Sequence, residues 1–139
     1  MKISDYLTRD EIAHFTARSD LHAWRLVFGN WLAIAAIFYA AATWTNPLTV
    51  IAAIVLLAGR QLGLSVLMHE CGHRSLFASS RLNDIIGQWL CALPVMNDQP
   101  SDARGHLEHH RQAGTREDPD LPNYQAYPVS RDSFRRKVI

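Results

Sequence analysis

The feature that most constrains this chain is a break in its charge distribution. Between Leu26 and Met68 a single charged side chain, Arg60, interrupts an otherwise uncharged run, while both flanks are charged throughout. A helix of a soluble domain carries an apolar stripe facing the core and polar residues elsewhere. Here whole segments are apolar all round, which is the condition for crossing a bilayer. Leu26 to Trp44 comes first, and as a helix it would rise about 28 Å, close to the hydrocarbon thickness of a membrane. Thr45-Asn46-Pro47 breaks it, and Leu48 to Met68 forms a second run of similar length. Trp24 and Trp31 near one end, with Tyr39 and Trp44 toward the other, suit anchoring at the two interfaces. The pattern predicts an all-α integral membrane protein built on one transmembrane helical hairpin, with spans at about 26–44 and 48–68.

The charges also predict an orientation. The turn between the runs has no Lys or Arg, whereas Lys2, Arg9, Arg18 and Arg25 precede the pair and Arg74, Arg81 and Arg104 follow it. By the positive-inside rule both ends, and everything after the second run, face the cytoplasm. The first 20 residues are polar and mixed in charge, without the apolar stretch of a cleaved signal peptide, so insertion falls to the internal segments. Residues 1–22 read as a cytosolic amphipathic lead-in. Thr8 with Glu11 makes a capping box, Leu7 and Ile12 occupy the staple positions, and Ser19-Asp20 offers a second cap. Residues 23–139 form the main domain. Within it, Ile85 to Met96 is apolar but too short to span and contains Pro94, which predicts a helix lying at the interface. Arg60 and Gln61, inside the second run, either mark the wall of a site or reach toward the interface. Fourteen Lys and Arg against 13 Asp and Glu argue against nucleic acid as a partner. Two cysteines, Cys71 and Cys91, make no disulfide framework and read as reduced, cytosol-facing thiols.

Five of the seven histidines fall in two tight groups, His69-Glu70-Cys71-Gly72-His73 and His106-Leu107-Glu108-His109-His110. On a helix His69 and His73 share a face at i, i+4, and His106, His109 and His110 fall within an arc of about 100°. His14 and His22 lie alone on polar stretches and read as solvated. Imidazole suits iron, zinc, copper and nickel. The first group also matches the zinc-protease pattern, two histidines on the metal with the glutamate as base. A catalytic zinc takes three protein ligands and keeps one position open, fewer than the imidazoles on offer. In a site using all five, Glu70 becomes a group that orients a ligand rather than a base.

The paired groups, His-Arg-Ser-Leu-Phe from His73 to Phe77, Arg81-Leu-Asn-Asp with Gly87, and Asp118-Pro-Asp-Leu make the chain resemble the membrane fatty acid desaturases, in their first two histidine boxes. The resemblance implies a di-iron (non-haem) centre with His69, His73, His106, His109 and His110 as ligands, O2 as co-substrate and an external electron donor. It implies a membrane lipid or fatty-acyl substrate and an electron-transfer protein of the ferredoxin or cytochrome b5 type. Asp118 and Asp120 become candidates for orienting the second group, against their plain reading as turn-formers around Pro119. A membrane zinc protease and a related di-iron hydroxylase are the alternatives. The family pattern includes a second hairpin and a third histidine box downstream, neither of which follows here. The expectation is a partial desaturase fold, inactive alone. Arg131, Arg135, Arg136 and Lys137 form a basic run suited to an anionic lipid surface or to solvent.

Overall fold

A computed structural model describes residues 3–125 and 127–138; Lys2 and the side chain of Lys137 lie outside that description. The described residues are helical, with no strand among them. Two compact units divide the chain, Met1–Asp102 and Ala103–Ile139.

In the first unit a 3-10 turn over Ile3–Asp5 precedes α1, Arg9–Phe15. Thr8 and Glu11 close the expected capping box: the Thr8 side chain accepts from the Glu11 N–H at 3.3 Å, and Glu11 accepts from the Thr8 N–H at 2.8 Å. That bond and the Thr8 hydroxyl hold the Glu11 carboxyl below its ordinary pKa. Ser19 then caps α2, Asp20–Thr43. Asn46 caps α3, Pro47–Gly72, with Pro47 in the first turn, where its missing N–H leaves no gap in the hydrogen-bond ladder.

Among the described residues two stretches, in Arg9–Thr43 and in Pro47–Gly72, are long and apolar enough to cross a membrane. Only 11% and 17% of their most apolar windows are buried inside the protein. A core helix of a soluble protein would bury most such residues; here Phe28, Leu32, Phe38, Ile51, Ile54, Val55 and Leu62 all face outward.

The two helices run antiparallel. Near their middle Asn30 is buried, donating to the Arg60 carbonyl at 3.3 Å and accepting from the Arg60 guanidinium at 3.4 Å. Gly63 leaves room for it: a Cβ there would lie 2.8 Å from the Asn30 Oδ1. Arg60 is thus tied to α2, a polar clamp between two apolar helices.

The core of this unit gathers where α2 begins and α3 ends, around Ala23, Val27, Leu67, Met68, Cys71 and Phe77. Phe77, fully buried, meets the Trp24 indole edge-on at 5.3 Å. Asp20 accepts from the Ala78 N–H at 2.8 Å, fastening the chain after α3 to the start of α2. Asn83, buried on α4 (Ser80–Ile86), accepts from the Phe77 N–H at 3.0 Å and donates to the Phe77 and Ser79 carbonyls. A loop that would otherwise bury unpaired backbone is closed by that one amide.

The stretch expected as a single interfacial helix is more varied. After α4 the backbone widens into a π-turn over Gly87–Ala92 and tightens into a 3-10 turn over Leu93–Val95, where Pro94 cannot continue an α-helix. The wider turn brings Cys91 and Ala92 both into the core. Cys71 and Cys91 are free thiols, each fully buried and facing protein rather than cytosol. Trp31, expected as a lipid anchor, directs its indole N–H to the Leu90 carbonyl at 3.1 Å. Gln88 then accepts from the Gln99 N–H at 2.9 Å and Asp98 from the Ser101 N–H at 3.0 Å, starting α5, Gln99–Gln112. In the second unit α5 is followed by α6, Leu121–Tyr124, and α7, Arg131–Val138.

Candidate functional site

The first histidine group occupies the end of α3. His69 and His73 share a face one turn apart, half-buried, with ring centroids 4.7 Å apart and planes at 70°. The helix stops there by a Schellman closure: the Arg74 N–H bonds to the Cys71 carbonyl at 2.9 Å and the Ser75 N–H to the Glu70 carbonyl at 3.0 Å. The closure needs a left-handed residue, and Arg74 supplies it at φ 57° where glycine is usual. An ion pair to Asp84 on α4, at 3.2 Å, holds that residue in place. Glu70 accepts from the Ser75 hydroxyl at 2.5 Å, bracing the same closure. Its described hydrogen bonds run to Ser75 rather than to an imidazole.

The second group lies on α5. His106 and His110, one turn apart, bring their Nε2 atoms to 2.8 Å, with ring centroids 4.4 Å apart. Neighbouring nitrogens bound to one ion at about 2.1 Å lie about 3 Å apart or slightly more, so this pair needs little adjustment to share a metal.

His109 is engaged on its other nitrogen. Its Nδ1 lies 2.8 Å from the Asp118 Oδ1 and 3.6 Å from the Asp120 Oδ2. The Asp118 side chain is fully buried. Besides His109 it accepts from the Asp120 N–H at 2.8 Å and, in a very short bond, from the Tyr124 hydroxyl. Burial alone would raise the Asp118 pKa. The donors from Tyr124, His109 and the Asp120 backbone outweigh it and hold the carboxyl at about 2. The same contact raises the His109 pKa, against the smaller effect of burial, with the Asp118 and Asp120 charges adding to it. The Asp118 carboxylate likewise raises the Tyr124 pKa.

Both groups, the Schellman closure and the Asp118 cluster fall within residues 45–139, and that stretch matches the family model for fatty acid desaturases. The chain belongs to the fatty acid desaturase family. Desaturases of this family generally hold non-haem di-iron, use O2, and act on lipid substrates with electrons from a donor. No curated protein and no solved structure matches the chain at a significant level. The zinc-protease alternative finds no support in these comparisons.

Two polar groups beside the histidines carry no signal in the sequence. Tyr124 stands fifteen positions after His109 and Ser75 two after His73, each beyond the end of the helix that carries the histidines, so helical spacing does not relate them. Asp118 could be suspected from its motif, but its burial is a property of the folded turn.

Proposed function

We propose that the chain carries the metal-binding part of an O2-dependent fatty-acyl desaturase of the membrane. His69, His73, His106, His109 and His110, from the cytoplasmic end of α3 and from α5, would together hold a non-haem di-iron centre. The observation that carries this reading is the family match, which takes in both histidine groups. The donor set agrees with it. Five imidazoles in two groups, with the His106 and His110 nitrogens 2.8 Å apart, are neutral nitrogen donors of the kind iron accepts.

In this reading residues 1–22 are a lead-in on the membrane surface and residues 23–139 the desaturase domain. Helices α2 and α3 form a transmembrane hairpin with both ends in the cytoplasm, and α4 with the turns after it lies at the interface. The acyl chain arrives through the bilayer, and electrons come from a soluble or membrane-anchored carrier of the ferredoxin or cytochrome b5 type.

The metal pair, when bound, supplies the oxidation that an unactivated methylene requires and that no side chain here can perform. The overall change balances as two C–H hydrogens, one O2, two electrons and two protons giving one C=C and two waters. The protein's own residues orient and exclude. Asp118 keeps the His109 proton on Nδ1 and leaves Nε2 for the metal. Asp120 supports Asp118 through its N–H. Glu70 acts on the histidines only through the Ser75 closure that ends α3. The apolar walls of α2 and α3 keep water from the acyl chain.

The test is an anaerobic Fe(II) titration of the protein in lipid nanodiscs. One shared centre predicts that His69→Ala and His106→Ala each lower iron binding by about tenfold or more, comparable to or larger than the loss of an outer-shell partner. Iron loss confined to one histidine group, or none in either variant, would overturn it. Where membranes carrying the protein do alter their acyl lipids, a new double bond rather than a hydroxyl separates desaturase from hydroxylase.

A further inference from the structure

We propose that Tyr124 is a positioning residue for His109: its hydroxyl holds the Asp118 carboxylate in the one orientation that keeps the His109 proton on Nδ1 and turns Nε2 outward. The metal-bonding part of this inference rests on the function proposed above; the orientation itself does not.

The geometry lies within residues 103–139. Asp118 is buried, so each of its oxygens must find a protein donor. Oδ1 receives two, the His109 Nδ1–H and the Asp120 N–H, both at 2.8 Å. Oδ2 receives the Tyr124 hydroxyl. The Gly114 backbone lies beside the Tyr124 hydroxyl and opposes, by a smaller effect, the rise in its pKa that Asp118 causes. Gly114 lies at φ 81°, a conformation open to glycine and strained for other residues. A tyrosine, a buried carboxylate and an imidazole thus stand in one line.

Removing the hydroxyl would strand a buried carboxylate oxygen. The group could then turn to exchange its oxygens, or take up a proton, and either change spoils the fixed acceptor for Nδ1–H. A competitor is close by. The Asp120 Oδ2 is 3.6 Å from the same nitrogen, on a side chain that is 47% exposed and held by less. Tyr124 decides which carboxylate orients His109. Tyr124 is 39% exposed, so its removal from the core is not what the substitution tests.

Tyr124→Phe keeps the ring and deletes the hydroxyl. The first readout is the His109 tautomer in the metal-free chain, from long-range 1H–15N correlations assigned by comparison with His109→Gln. The Nδ1–H form should dominate in the wild type and lose its majority in Tyr124→Phe, while helicity stays unchanged. The second readout is Co(II) affinity by chelator competition. It should fall about 3- to 10-fold in Tyr124→Phe, against about 10- to 100-fold for Asp118→Asn, since the tyrosine acts one step further from the metal. An unchanged tautomer ratio in a folded Tyr124→Phe protein overturns the proposal. So does a wild-type His109 protonated on Nε2, a result that needs no variant to fold. If the tautomer shifts as expected but His109→Ala leaves Co(II) binding intact, the metal assignment of His109 fails and the orienting role of Tyr124 stands.

Discussion

Asp118 and His109 are charged partners whose strength depends on pH in opposite senses. The Asp118 carboxyl is held at about 2, below its ordinary 3.8, so its contribution to stability is complete above 3.8 and is lost as pH falls through about 2. His109 is raised above its ordinary 6.5, so its contribution is complete below 6.5 and is lost as pH rises through the raised value. The metal-free protein should therefore show a plateau of thermal stability between 3.8 and 6.5, declining on both sides. Asp118→Asn should flatten both limbs and return the His109 titration toward 6.5, read by NMR. A variant whose pH–stability curve superimposes on the wild type would show that the pair contributes nothing. Deprotonation of His109 is also what frees it for a metal, so the raised pKa shifts metal uptake toward higher pH.

At the scale of elements, two glycines allow helices to meet. A Cβ on Gly87 would lie 2.6 Å from the Cys71 Cβ, an atom fixed to the α3 backbone, so α3 and the π-turn segment would have to part. A Cβ on Gly63 would lie 2.8 Å from the Asn30 Oδ1, the free end of a short side chain that can move by giving up its bonds to Arg60. Gly87→Ala should therefore destabilise by about 2–3 kcal/mol and Gly63→Ala by about 1 kcal/mol, within the range for overpacked cores. Denaturation midpoints in detergent check the order. The reverse order would mean that the polar clamp, not the packing of the cysteine-bearing segment, is the tighter joint. Arg60 itself was ambiguous in the sequence because a cation in an apolar run has several outlets; the fold selects Asn30, thirty positions earlier.

At the scale of the molecule, the prediction concerns sides of a membrane. A hairpin with cytoplasmic ends places Arg18 and Arg116 on one side and Asn46 on the other. Single-cysteine labelling with an impermeant maleimide should modify positions 18 and 116 from the cytoplasmic face and position 46 from the opposite face. Labelling of all three from one face would remove the transmembrane hairpin from the account.

The two long apolar helices, the caps at Thr8 and Ser19 and the turn at Asn46-Pro47 were legible because each is written locally. Apolar runs without charge, Thr8 with Glu11, Ser19, and Asn46 before Pro47 act within four residues of themselves. The histidine groups were legible for the same reason, since a turn of helix brings i and i+4 together. What the fold alone decided are contacts between residues far apart or joined by irregular chain. The Asn30–Arg60 clamp, the Asn83 closure of the Phe77 loop, the π-turn that buries Cys91, and the line from Tyr124 through Asp118 to His109 have no period in the sequence. Their partners are chosen by burial: a polar group shut away from water must take the donor or acceptor that packing leaves within reach.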